Sequence, residues 1–367
     1  MSWNSILRVP VGLLVLIAGA TLGGCGSDST APAAPGFLAG TASNHEIGVV
    51  LRSTGKAVTL FQLGSPTTQV EIPLGTSSTI TPTGLSVRGK RAAVPLGDAA
   101  SVALVNLETA SVLRFFTFAT GNATGSAFVD DTTVVAANLL SNQVGRFTFN
   151  QPTDAIGSLV TVAPQPSAIA MAGTRALVVS SNLDANFAPI GNGVLSAIDT
   201  KTMQVVGTAT MGGTNSTDAA LGPDGLVYVL NTGDFVSQGS MTIVNPSTMA
   251  VVTTIPNIGV GPGAIFIDGA GRAYISSFFG GTTVFNTGTR QFVRGPDNPV
   301  CAKLADGSCR GAFAATTNSA GDIYQAFFGS PSQNLPPHIF VYGAGTFALI
   351  DSISVGVGPA ALSIRTF

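Results

Sequence analysis

The sequence predicts an all-β protein: a seven-bladed β-propeller of four-stranded antiparallel blades, the last blade closed by N- and C-terminal strands together. Three observations predict it. First, residues 216–260 hold four short apolar runs, at 218–221, 226–230, 241–244 and 250–255, separated by Gly-Pro-Asp-Gly, Asn-Thr-Gly-Asp and Asn-Pro-Ser-Thr. Runs this short, rich in Val, Ile, Thr and Tyr and bounded by turn formers, are strands rather than helices. Second, the unit recurs. A small-residue start to the innermost strand returns at Thr83, Thr124, Pro166, Ser216, Pro262, Arg310 and Pro359, at steps of 41, 42, 50, 46, 48 and 49 residues. Four strands per repeat at this period is the signature of propeller blades, and small residues belong where inner strands converge on one axis. Third, the chain ends on a single inner strand after Pro359, whereas its ordered part begins with three strands and no inner one. The two ends complete one blade, which removes two exposed strand edges.

In chain order, the leader comes first. Arg8 precedes an apolar segment at residues 9–20, followed by Leu22-Gly23-Gly24-Cys25. The segment is too short to span a bilayer and has the layout of a secretory signal. The four residues ending at Cys25 resemble the lipobox of bacterial lipoproteins. That resemblance implies a signal peptide at residues 1–24, cut before Cys25, and a lipid on the Cys25 sulfur that anchors the chain to a membrane. An ordinary signal peptide that happens to contain Cys is the alternative. Residues 25–43, mostly Gly, Ser, Ala and Pro, read as a flexible tether, and residues 44–367 as the propeller domain. Gly26 rather than Asp follows Cys25; by resemblance to the Gram-negative sorting rule this implies the outer membrane, with the folded body periplasmic or surface-facing.

The bulk numbers narrow the function classes. Only 9% of the 367 residues are charged, the net charge is −2, and no Lys/Arg cluster occurs. Nucleic acid is therefore not an expected partner. A monomer is expected unless the chain is part of an envelope complex.

Two further landmarks order the blades. The second strand often closes on a polar residue: Asp98, Asn138, Asn182 and Asn231. A hairpin after the third strand opens with Asn106, Asn150, Asp199, Asn245 or Asn286, because Asn and Asp side chains bond backbone N–H groups two residues on. The runs PDGLVYVLN, AIDTKTMQVVGT and TIVNPSTMAVVTTI resemble the YVTN-repeat propellers of bacteria. The resemblance is clear from Pro166 to Val260, and the copies near Phe149 and Gly343 are degenerate. It implies a seven-bladed propeller and an exported location, and little chemistry, since such folds host lactonase-like enzymes as well as binding and surface proteins.

Cys301 and Cys309 lie in one loop, and in an exported protein they are expected to form a disulfide. In this strand order the loops joining second to third strands share a face, the top, with the loops joining successive blades. Those at 182–193, 231–240 and 327–338 are enlarged, and Phe recurs along this face at Phe187, Phe235, Phe278, Phe279, Phe327 and Phe328. With Asn138, Asn182 and Asn231 they outline a funnel with amide donors inside and Phe around the mouth, suited to a neutral ligand such as a glycan or to a protein partner. The competing reading is that the Phe pack loops down and the Asn satisfy turns. Asp218, in an inner strand, is a channel candidate. Arg88 and Arg365 also lie near inner strands, where they could partner acidic groups.

The catalytic search is negative. The two histidines, His45 and His338, stand alone, and no metalloprotease, nucleophile-elbow, P-loop or dinucleotide motif occurs. No catalytic residue is assigned, no cofactor is predicted and the metal site is unknown. The expectation is a lipid-anchored binding or scaffold module. The alternative is a propeller enzyme of lyase or lactone-hydrolase type with a divalent cation in the central channel.

Overall fold

The computed structural model describes residues 45–366. The segments expected to be a signal peptide and a tether, with Cys25, lie outside the described residues. Among the described residues, short β-branched and aromatic runs punctuated by Gly, Asn, Asp and Pro form strands, with one short 3-10 turn at Pro331–Gln333.

The chain opens with β1 (Glu46–Arg52), β2 (Ala57–Gln62) and β3 (Ser65–Pro73). Blade 2 is β4 (Ser86–Arg88), β5 (Arg91–Pro95), β6 (Ser101–Asn106) and β7 (Ser111–Thr117). Blade 3 is β8 (Ala123–Phe128), β9 (Thr133–Asn138), β10 (Gln143–Thr148) and β11 (Gly157–Thr161). Blade 4 is β12 (Pro166–Ala172), β13 (Arg175–Ser180), β14 (Asn192–Asp199) and β15 (Gln204–Thr214). Blade 5 is β16 (Ser216–Leu221), β17 (Val227–Asn231), β18 (Gln238–Asn245) and β19 (Ala250–Val260). Blade 6 is β20 (Pro262–Ile267), β21 (Arg272–Ser277), β22 (Gly281–Asn286) and β23 (Gln291–Arg294). Blade 7 is β24 (Ala314–Thr317), β25 (Ile323–Phe327), β26 (His338–Tyr342) and β27 (Leu349–Ile353). The last strand, β28 (Pro359–Thr366), returns to β1. The sheet order β28-β1-β2-β3 completes blade 1 from both ends of the chain, as the sequence predicts. Its register sets Leu51 opposite Ala361, Val49 opposite Ser363 and Ile47 opposite Arg365.

Each sheet buries both faces against its neighbours. Seven apolar clusters result, one between each pair of adjacent blades. The cluster between blades 7 and 1 joins Val50 and Phe61 to Tyr324, Ile339 and Val341, with Leu362 and Ile364 of β28. The core is therefore a ring of interfaces, and every interface needs both partners.

The hairpins after the third strands confirm their chemistry. Asn106 Oδ1 accepts the Glu108 and Thr109 N–H groups, Asp199 Oδ1 those of Lys201 and Thr202, and Asn245 Oδ1 those of Ser247 and Thr248. Asn286 Oδ1 accepts the Thr289 N–H. The exception is Asn150, where Gln151 replaces the device: its Oε1 accepts the Thr148 N–H and its Nε2 donates to Thr153 O and Ala155 O.

Leu51 is fully buried between blades 1 and 2, on the strand that β28 closes. Leu51→Ala is expected to cost about 2–5 kcal/mol, the range for a large-to-small change at a well-packed site. The measurement is the urea midpoint at constant m-value. A loss below about 1 kcal/mol would contradict tight closure at this seam.

Candidate functional site

A hydroxyl just before or within the first two residues of four inner strands crosses to the next blade. Thr83 Oγ1 donates to Ala123 O and Thr124 O at 3.0 and 2.9 Å. Thr124 Oγ1 donates to Pro166 O at 2.8 Å, and Ser167 Oγ to Ser216 O and Thr217 O at 3.3 and 3.1 Å. Thr217 Oγ1 contacts Pro262 O at 3.5 Å, and Thr232 Oγ1 donates to the same carbonyl at 2.6 Å. These bonds satisfy edge carbonyls around the top of the channel that would otherwise need water.

The series stops at blades 6 and 7. Blade 6 has Gly263 in the hydroxyl position, where a Cβ would lie 2.2 Å from the Phe278 ring. Blade 7 has Phe313, whose N–H bonds Ala326 O as the Thr83 N–H bonds Pro95 O. An arc of rings fills the sector: Phe235 to Phe278 at 6.3 Å between centroids, Phe278 to Phe313 at 4.9 Å, and Phe313 to Phe328 at 4.7 Å and nearly parallel. Such offset and edge-on pairs are favourable beyond the area they bury. All four rings are half-buried.

The sequence-predicted residues separate into groups. Phe235, Phe278 and Phe328 join the arc, while Phe187 and Phe279 stand out at 43% and 53% exposure. Phe327 does not reach the mouth. It is the last residue of β25, and strand alternation turns its ring inward from that of Phe328. It packs in the cluster between blades 6 and 7, 5.9 Å from Phe340, with the Arg310 guanidinium 5.4 Å from both ring centres. Phe313, which the sequence reading missed, takes the place expected of it. The only signal was its position two residues after Gly311.

The amides do not line a funnel with free donors. Asn138 is buried, its Oδ1 accepting the Asn122 N–H and its Nδ2 donating to Thr120 O. Asn231 is buried as well; it accepts from Ser216 Oγ and donates to Ser240 Oγ and Thr242 Oγ1. Asn182 sits in the left-handed region at φ 56° and donates to Asn192 O at 2.8 Å. All three hold loops in place.

What the top face offers outward is apolar. The loops after the second strands of blades 3 to 6 carry Leu140 at 60% exposure, Phe187 and Ile190, Val236 at 81%, and Phe279. Two of these loops are braced from within. Asp184 Oδ1 accepts the Asn186 and Ala188 N–H groups. Asp234 Oδ1 accepts those of Val236 and Ser237, bonds that hold its carboxyl below the usual range. Exposed aliphatics also recur on the outer strands, at Val206, Val252 and Leu349. There β-propensity accounts for them; loop tips have no such requirement.

The Cys301–Cys309 disulfide is formed, in the loop between blades 6 and 7. The loop is tied down by Gln325, which is fully buried and donates to Val300 O and Thr282 Oγ1, and whose Oε1 accepts the Tyr342 hydroxyl.

Asp218 acts between blades. Its carboxylate accepts the Ile265 N–H of β20 and the Ala219 N–H, both at 2.9 Å. Burial pushes its pKa up to about 6, against the opposing pull of these two bonds. Among the described residues no group of three or more His, Cys, Asp or Glu is placed to hold a metal ion.

Comparisons with known proteins bear on the fold alone. No protein-family model matches the sequence, and no curated protein sequence matches it. Solved structures do resemble it. A functionally unknown protein from Desulfotomaculum acetoxidans has a TM-score of 0.66 at 15% identity, over 87% of this chain and 99% of that one. The hydrazine synthase of Kuenenia stuttgartiensis has a TM-score of 0.60 at 12% identity, over 80% and 97%. A computationally designed protein has a TM-score of 0.57 at 13% identity, over 90% and 94%. The class these define is the β-propeller.

The raised pKa of Asp218 makes stability depend on pH. The folded state holds this proton more tightly than the unfolded chain, whose Asp titrates near 4. The contribution of Asp218 to stability is therefore fully present below about 4 and is lost as the pH rises through the folded value of about 6. Asp218→Asn is expected to flatten the stability profile between these limits, read as denaturation midpoints across pH. An unchanged slope in the variant would show that Asp218 is not the group responsible.

Proposed function

We propose that the chain is a lipid-anchored, extracytoplasmic propeller that binds a protein partner on its top face. The observation that carries this reading is the run of exposed apolar tips on four successive blades, Leu140, Ile190, Val236 and Phe279 among them. Exposed apolar side chains on braced loops suit a dry protein contact, because little ordering remains to oppose association. The internal engagement of Asn138 and Asn231 removes the donors that a glycan would need. The lipobox resemblance at Cys25 and the YVTN-like repeats support an exported, anchored location. The chain enters β1 at the face opposite these loops, since strand order puts Glu46 and Thr366 together at the bottom.

The test is purification of the full chain from its native membrane in mild detergent, with mass spectrometry of what accompanies it. A stoichiometric protein is expected with the wild type. The double variant Val236→Asp, Phe279→Ser is expected to lose it, with an unchanged thermal midpoint because both side chains are exposed. Retention of the partner by the variant, or absence of any partner from the wild type, would count against the reading.

A further inference from the structure

A cavity of about 330 Å³ lies between the inner strands of blades 1 to 4. Its walls include Arg88, Arg365, Ser86, Ser126 and Ser363, and no Asp or Glu. Both arginines come at or near the ends of strands that run from top to bottom, β4 and β28, so the cationic end of the cavity is the bottom mouth of the channel. This is the end opposite the loop tips discussed above.

The charge here is incompletely matched. Arg88 Nε donates to Asp131 Oδ1 at 2.7 Å, but Asp131 lies outside the cavity wall, and among the described residues the other guanidinium nitrogens of Arg88 have no hydrogen-bond partner. Arg365 has no carboxylate partner among the described residues. Its Nη1 and Nη2 reach only Ile364 O and Val87 O, each at 3.4 Å. Both contacts are at the long limit for a hydrogen bond. Arg365 is exposed at the mouth, and the part of it that packs against the cavity wall holds its pKa below the ordinary arginine value. Ser86 and Ser126 bond one another at 3.0 Å, and Ser126 Oγ otherwise reaches only Ala93 O at 3.4 Å, a long contact that a ligand oxygen can replace.

We propose that the bottom mouth of the channel binds a small oxyanion, a phosphate or a carboxylate, between Arg365 and Arg88 with the serine hydroxyls as further donors. Guanidinium forks match the paired oxygens of such groups, and two of them converging in a cavity without carboxylates form an electropositive site. The proposal does not depend on the top-face reading. The anion could be free in solution or the headgroup phosphate of a membrane lipid, since the bottom is the side from which the chain's N-terminal segment arrives.

The experiment uses the full chain carrying Cys25→Ser, which has no lipid of its own. Titration calorimetry with inorganic phosphate and with acetate tests the free anion. Flotation with phosphatidylglycerol vesicles, against phosphatidylcholine vesicles, tests the headgroup. Binding of phosphate or acetate that weakens at least tenfold in Arg365→Gln and in Arg88→Gln supports the site with a free anion. Flotation with phosphatidylglycerol alone, lost in the same variants, supports it with a lipid. Arg88→Gln leaves the closing strand untouched, so it remains informative if Arg365→Gln fails to fold. No binding in any arm, or binding that neither variant weakens, overturns the proposal.

Discussion

Pairing β28 with β1 is the interaction on which everything else rests. A propeller blade cannot bury its two faces alone, so each depends on neighbours on both sides. Without β28, blade 1 has no inner strand, and the cluster between blades 7 and 1 loses Leu362 and Ile364. The contact joins residues more than three hundred apart, as in the bond from the Ser53 N–H to Gly358 O. Closing so long a loop costs entropy only logarithmically in its length. Six hydrogen-bonded blades brought to nearly the right place meet most of that cost before the last strand docks.

Inside the closed ring, the top of the axis shows how one position is used in two ways. In blades 2 to 5 it is Thr or Ser, and a hydroxyl bonds the next blade. In blades 6 and 7 it is Gly263 and Phe313, and the Phe278 and Phe313 rings fill the space that the hydroxyls leave. The break in symmetry makes one sector of the mouth aromatic. It adjoins the exposed Phe279 and the disulfide loop. At the other end of the channel, Arg365 and Arg88 supply an electropositive mouth. The propeller therefore has two chemically distinct poles: apolar loop tips above, and below them Arg365 without a carboxylate partner beside Arg88, which pairs with Asp131.

The architecture was legible because a propeller repeats its turn chemistry, and seven imperfect copies correct one another. The copy near Gly343 looks degenerate only because Gly stands where Asn or Asp opens the other turns. Its backbone is the same: the Phe347 N–H bonds Gly343 O as the Arg290 N–H bonds Asn286 O, and both residues are left-handed, at φ 58° and 55°. The site was less legible, for a physical reason. An Asn at a strand end can donate to a ligand or to its own loop, and only the neighbours decide. At Asn231 those neighbours are Ser216, Ser240 and Thr242, distant in sequence or hidden in the register of β18. Phe327 and Phe328 are adjacent in sequence and opposite in direction, which no composition argument resolves. The disulfide was legible because its two cysteines share one loop.

Native-state hydrogen exchange tests most directly whether the joined ends hold the ring. Hydrogen-bonded amides of β1 and β28 are expected to exchange with the same free energy as those of β13 and β17 in the middle blades, because opening the seam unfolds the whole ring. Exchange of β1 and β28 at a markedly lower free energy, with the middle blades still protected, would contradict this account. It would mean that six blades stand without the seventh.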